Sequence, residues 1–191
     1  MRVLLTLLLL LFCWSDAFAI GEIGIIGWYH KVATSTGPNT VILRPTAIAY
    51  VYDWPVTGAP TKVEAVDDVT SDGDTSYIQE VSTGRRAQFT YSQITGCTSV
   101  TSVTLYASMK GDDNDGDVSF VMYGAGGSNY SSNKAISTSY SLISWDMADN
   151  PDTGTTWTCS EVNALNAGIR SDASAFTYQR ISQIYAEVVY E

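Results

Sequence analysis

Basic charge is what this chain of 191 residues has least of. Ten Lys and Arg stand against twenty Asp and Glu, a formal net charge of −10. The cations form no patch, and Arg85-Arg86 is the only adjacent pair. A nucleic-acid partner is therefore excluded, because its phosphates require clustered Lys and Arg. Histidine is nearly missing as well: His30 is the only one, and it precedes the body of the chain. A Ser-His-Asp arrangement would have to borrow it from there, and one His with so few Cys cannot complete a usual tetrahedral zinc site without carboxylates. Carboxylates are plentiful, yet no pair sits in an apolar setting that would raise one pKa for glycoside hydrolysis. The sequence reads as a non-enzyme with no catalytic residues. Long apolar runs are also missing, with one exception.

That exception is Val3–Trp14, preceded by Arg2 and followed by the small residues of Ala17-Phe18-Ala19. This is the layout of a secretory signal, too short and wrongly flanked for a membrane span. The expectation is a signal peptide over residues 1–19 and a secreted, extracellular or cell-surface product with no membrane contact after cleavage; a retained anchor is the alternative. Cleavage removes Cys13 and leaves Cys97 and Cys159. In an oxidising compartment one Cys97–Cys159 disulfide is the economical pairing.

What remains favours strands. Twelve Tyr, five Trp and abundant Thr, Ser and Val are β-formers, whereas Leu, Lys and Glu are scarce beyond residue 19. Thr40–Tyr52 reads as extended, broken at Arg44-Pro45, where proline implies an edge or an interruption. Thr83-Gly84-Arg85-Arg86 reads as a hairpin turn between Ser76–Ser82 and Ala87–Ser92. Val103, Leu105, Ala107 and Met109 alternate with polar neighbours, as do Val118, Phe120 and Met122, and Ile184, Ala186, Val188 and Tyr190 form a last apolar row. One helix is predicted over Cys159–Ala167: Thr158 and Glu161 make a capping box, Val162, Leu165 and Ile169 follow at helical spacing, and Gly168 stands as its stop. The fold class is an all-β, jelly-roll-like antiparallel β-sandwich over residues 40–191 with one short helix near the C-terminus.

The order of pieces carries a resemblance. Arg44-Pro45 comes before Val66-Asp67-Asp68 and Asp72-Gly73-Asp74-Thr75-Ser76-Tyr77, then Phe89-Thr90-Tyr91 and the Thr101–Ala107 strand. Asn150-Pro151-Asp152-Thr153-Gly154, Trp157-Thr158 and Arg180-Ile181-Ser182-Gln183-Ile184-Tyr185 close the chain. This resembles jelly-roll modules that recur in poorly characterised proteins of tailed phages, bacteria and environmental sequences. The resemblance implies a non-enzymatic surface or virion-associated sandwich and brings no catalytic residues with it. The secretory signal and the residues ahead of the module depart from that pattern and favour a cell-surface or extracellular role.

Three features are candidates for function. Residues 20–39 form an apolar, glycine-spaced arm in which Ile20, Ile23, Ile25, Ile26, Trp28 and Tyr29 suit strand addition to an open sheet edge. Its partners would be copies of the same chain or other surface subunits, so a self-assembling structural protein is the first reading. Tyr52 and Trp54, at the end of an extended segment before Pro55, are the aromatics best placed to bind glycans, which makes a carbohydrate-binding module the second reading. Asp112, Asp113, Asn114, Asp115 and Asp117 pack five oxygen-bearing side chains into a glycine-flanked turn, and calcium is the one cofactor this suggests. Asp67–Asp74 is a weaker calcium loop of the same kind; a plain solvated turn competes for both. Asn129-Tyr130-Ser131 is a glycosylation sequon.

Overall fold

A computed structural model describes residues 37–51, 54–112, 116–172 and 178–191, which fall in one compact unit, Thr36–Glu191. Its strands begin with β1 (Asn39–Leu43), β2 (Pro45–Val51), β3 (Val56–Thr57), β4 (Tyr77–Glu80) and β5 (Arg86–Tyr91). There follow β6 (Val100–Gly111), β7 (Asp117–Gly124), β8 (Gly127–Tyr130), β9 (Lys134–Ala135) and β10 (Ser141–Met147). The chain ends with β11 (Asp149–Asn150), β12 (Thr155–Thr156), the helix α1 (Cys159–Asn163), β13 (Asn166–Ser171) and β14 (Gln179–Tyr190).

The first sheet runs β10-β6-β14-β4-β3, with β1 also on β14; the second runs β2-β5-β13-β7-β8, with β9 also on β7. In chain order the eight principal strands are β4, β5, β6, β7, β8, β10, β13 and β14. One sheet then reads first-eighth-third-sixth and the other second-seventh-fourth-fifth, all antiparallel, which is a jelly roll. The inward rows foreseen from alternation are buried: Val103, Leu105, Ala107 and Met109 face Val118, Phe120 and Met122 across a core that includes Phe89, Ile169 and Ile184. Ile181 and Ile184 both face inward although three residues apart, a spacing that strict alternation forbids. A bulge between Ile181 and Gln183 inserts Ser182 and returns Ile181 to the core side opposite Met109.

Arg44 marks where the chain changes sheet. β1 pairs with β14 in the first sheet, β2 pairs with β5 in the second, and Pro45 lies on an edge strand where its missing N–H is tolerated. The Thr83–Arg86 turn is not a hairpin. β4 belongs to the first sheet and β5 to the second, so these residues form a corner, with Gly84 in the left-handed region (φ 80°) and its N–H donating to the Ser171 carbonyl at 2.7 Å. Turn residues specify a change of direction without specifying that the flanking strands pair.

The helix is shorter than expected. The capping box forms as read, with Glu161 N–H donating to Thr158 Oγ1 at 3.2 Å and Thr158 N–H to Glu161 Oε2 at 2.7 Å. After Asn163 the chain turns out of the helix, and Asn166–Ser171 becomes the central strand β13, with Gly168 in its middle rather than at a helix end. The Cys97–Cys159 disulfide is present and ties the first turn of α1 to the segment before β6. Asn163 makes a second tie: its side chain accepts from Ile94 N–H (2.8 Å) and donates to the Ile94 carbonyl (3.2 Å).

The cap yields a prediction. Hydrogen bonds from the Thr158 backbone, followed in effect by burial acting the other way, leave the Glu161 carboxyl below its usual value of 4.5. A lowered carboxylate contributes stability that is present above its unfolded value and lost as pH falls through the folded one. Thr158→Ala keeps the backbone donor but removes the hydroxyl, which accepts from Glu161 N–H and donates to Glu161 Oε2 at 2.8 Å. It should therefore cost about 1 kcal/mol in denaturant unfolding at neutral pH, and less in acid, below pH 4.5. An equal cost at pH 7 and in acid would show that the carboxylate does not take part.

Candidate functional site

The Asp67–Asp74 loop completes a sheet. On one side of β14, β1 covers Ala186–Tyr190 and β4 covers Gln179–Ile181, leaving a gap between them. Loop backbone fills it: the Val66 carbonyl accepts from Ile184 N–H at 2.8 Å, and the Asp68 carbonyl from Gln183 Nε2 at 2.7 Å. Arg44 donates to the carbonyls of Asp67, Asp68 and Val69. Ser71 Oγ lies in reach of Ser182 and Ser108, which fixes the bulge beneath the loop. Asp72 is taken by Ser76, while Asp74 pairs with Lys110 (2.6 Å) and Arg180 (3.2 Å). The backbone carbonyls of Asp67, Asp68 and Val69 and the carboxylates of Asp72 and Asp74 are thus engaged within the protein.

In the other acidic turn, Asp113, Asn114 and Asp115 lie outside the described residues. Asp112 is exposed and faces Arg180 at 3.7 Å. Asp117 lies in strand β7 rather than in the turn, with its backbone carbonyl accepting from Gln179 Nε2 and Asp172 N–H. Among the described residues no group of three His, Cys, Asp or Glu side chains is placed to hold a metal ion. The arm residues Ile20, Ile23, Ile25, Ile26, Trp28 and Tyr29 and the signal-like segment also lie outside the described residues, as does Tyr52. No helix among the described residues is long and apolar enough to cross a membrane.

Trp54 is not a surface aromatic. It is 0% exposed, in the same core cluster as Ala65 and Val66. Burial of so large an apolar side chain outweighs exposure at a strand end. Trp157, too, is buried, its indole N–H donating to the Met147 carbonyl at 3.0 Å.

The open aromatic surface lies instead on the solvent face of the second sheet. Along β5, Ala87, Phe89 and Tyr91 point into the core, so Arg86, Gln88 and Thr90 point away from it. Gln88 is cross-strand from Tyr50 on β2 and from Gly168 on β13. A depression of about 320 Å³ forms over these strands, lined by Ala49, Tyr50, Arg86, Gln88, Tyr123 and Asn166. Its size falls in the range of small-molecule sites. Tyr50 and Tyr123 remain 47% and 55% exposed, whereas Gln88, on the floor, is only 2% exposed. Gln88 Nε2 and Asn166 Oδ1 are shielded from bulk water and find no hydrogen-bond partner. Such groups cost roughly 1–3 kcal/mol each when left unpaired. The Arg86 guanidinium lies over the Tyr50 ring at 5.5 Å and donates from NH1 to Ser128 Oγ at 2.7 Å, which holds it at the rim.

Tyr123 and Asn166 also line a second depression of about 260 Å³, toward the β7–β8 turn, the Asn150–Thr153 loop and α1. Asp152 is anchored there: its carboxylate accepts from Gly126 N–H at 2.9 Å and from Asn129 Nδ2 at 3.4 Å, and its own N–H donates to Asn150 Oδ1. Gly124 makes this approach feasible, because a Cβ there would fall 2.2 Å from the Asp152 carboxyl carbon. Asn129 of the sequon is half-buried, with its amide engaged in this contact. Glu161 lines the same depression, its carboxyl kept ionised by the Thr158 cap. The two depressions meet at Tyr123 and Asn166 to form one groove.

No protein-family model and no curated protein matches the chain. Solved structures do show likenesses. The C-terminal CBM6 of LamC, a marine laminarinase from Zobellia galactanivorans, shares 9% identity at a TM-score of 0.47, covering 78% of this chain and 98% of that module. The Agl-KA catalytic domain shares 13% identity at a TM-score of 0.39; the match covers 81% of this chain but 28% of that one. BiXyn10A CBM1 in its apo form shares 11% identity at a TM-score of 0.35, over 75% of this chain and 92% of that one. Likenesses of this order transfer no binding residue, and the groove has to be read from its own side chains.

Of the two aromatics singled out in the sequence, Trp54 is buried and Tyr52 lies outside the described residues, whereas Tyr50 on β2 is exposed. Tyr123 and Asn166 were missed because the groove draws on β2, β5, β7 and β13, which are far apart in the chain. A usable signal was present in the polar row Arg86, Gln88 and Thr90, which alternates with a fully apolar one.

Proposed function

We propose that this protein is a secreted glycan-binding module whose ligand lies across the solvent face of the second sheet. The observation that carries this reading is the placing of two exposed tyrosines, Tyr50 and Tyr123, in one depression with the polar side chains of Arg86, Gln88 and Asn166. Tyrosine offers a flat apolar face and a polar tip, which matches the C–H faces and hydroxyls of a sugar ring. Sugar hydroxyls both donate and accept, so they suit a lining that mixes the Arg86 guanidinium with the amide side chains of Gln88 and Asn166. The signal-like segment and the disulfide accord with an oxidising, extracellular setting.

The test is a glycan array and titration calorimetry on the full chain as released from a secreting host. Tyr50→Ala and Tyr123→Ala should each weaken binding at least about tenfold, or about 1.4 kcal/mol, with the melting temperature unchanged. No glycan bound by the parent protein, or parent-like binding by both variants, would remove the reading.

A further inference from the structure

Charge is distributed unevenly along the groove. Outside the groove, Lys110, Arg170 and Arg180 each pair with an aspartate, at 2.6, 2.8 and 3.2 Å respectively. Arg86 is held by neutral groups, the Ser128 hydroxyl and the Tyr50 ring, and no carboxylate of the described residues lies within ion-pairing distance of it. Among the described residues Arg44, Lys62 and Lys134 likewise have no carboxylate in an ion pair, and of these four cations Arg86 is the one that lines the depression. Ser128 engages only NH1, so donors of the planar fork remain for a carboxylate, the group whose geometry it matches. Gln88 and Asn166 add neutral polar side chains to the lining of the same depression. Beyond Tyr123 the sign reverses, because Asp152 and Glu161 line the other half of the groove.

We infer that the groove takes an acidic oligosaccharide, with a uronate carboxylate at Arg86 and an uncharged sugar against Asp152. This rests on the glycan-binding reading and narrows it to a ligand class. Sugars in which uronates alternate with neutral units fit both halves. A run of contiguous uronates would set like charges together at Asp152 and Glu161, which opposes binding.

An array carrying neutral chito-oligosaccharides, unsulfated chondroitin and hyaluronan oligosaccharides, sulfated chondroitin and oligogalacturonates separates the outcomes. The alternating-uronate class should bind at least about tenfold tighter than either the neutral or the contiguous class. Arg86→Gln should reduce it to the neutral level, and Asp152→Asn should raise oligogalacturonate binding. Because Asp152 also anchors the β7–β8 turn, the melting temperature of that variant is measured alongside. Added salt should weaken the alternating-uronate complex and leave neutral binding unchanged. Equal affinity for neutral and acidic sugars, with Arg86→Gln unaltered, overturns the inference and leaves the glycan reading in place. Preference for sulfated over unsulfated chondroitin, lost in Arg86→Gln, overturns the carboxylate assignment in favour of sulfate. Binding to no sugar on the array overturns both readings.

Discussion

Gly168→Ala should lower the melting temperature by more than about 5 °C, although it adds a single methyl group. Gly168 lies in the middle of β13, between Gln88 on β5 and Val121 on β7. A Cβ built there would fall 1.8 Å from the Ala87 carbonyl oxygen and 2.8 Å from Gln88 Cα. Both obstacles are backbone atoms of a paired strand, so relief requires the β5–β13 ladder to separate. Overpacking of this kind costs roughly 1–3 kcal/mol where side chains can shift, and here only backbone can. In a domain of this size 1 kcal/mol corresponds to about 2–4 °C. Gly37→Ala is the control, because nothing lies within 4 Å of the added atom and the backbone is not left-handed. Differential scanning calorimetry of both variants decides the matter, and equal midpoints would mean that the strands of the second sheet have more slack than their spacing indicates. Because Gln88 lies beside Gly168, the same substitution should disturb the groove floor and weaken ligand binding even below the transition.

Gly168 also shows where sequence reasoning holds and where it fails. Val162, Leu165 and Ile169 fit a helical row, and a glycine just before Ile169 looks like a stop. Ala167, Ile169 and Ser171 equally fit an alternating strand, and the slot between β5 and β7 decides for the strand. Rules that depend on few neighbouring residues fared better. The Thr158–Glu161 cap, the break at Arg44-Pro45 and the inward rows of β6, β7 and β14 all follow from local chemistry or strict alternation. The Cys97–Cys159 pairing followed from arithmetic, since only two of the three cysteines lie beyond the signal-like segment and two allow one bridge. Non-local partners were the hidden part. Nothing near Asp67 or Asp68 in the chain indicates that Arg44 and Gln183 take their carbonyls, and nothing near Trp54 shows that it enters the core. The groove was hidden for the same reason, since four strands supply its residues and only the sheet order brings them together.

Replacing both Cys97 and Cys159 with serine should cost about 4 kcal/mol in denaturant unfolding while leaving the proposed glycan binding at low temperature nearly unchanged. The two cysteines are 62 residues apart, and on the chain-entropy account opening a loop of that length releases about this much free energy to the unfolded chain. In the native state the same junction keeps its other fastening, because Asn163 still bonds the Ile94 backbone through both its oxygen and its nitrogen. The Thr158–Glu161 cap likewise holds the helix start without the sulfurs. α1 should therefore stay in place and continue to wall the Asp152 end of the groove through Glu161. The Arg86 end, built on β2, β5, β7 and β13, makes no use of the bridge. A stability loss with affinity retained would locate the disulfide's effect in the unfolded ensemble. Loss of affinity in proportion to stability would instead show that the bridge sets the position of α1, and that the Asn163 clamp is too weak to hold it alone. Adding Asn163→Ala to the double serine variant then removes the last fastening, and binding at the Asp152 end should fall before binding at Arg86.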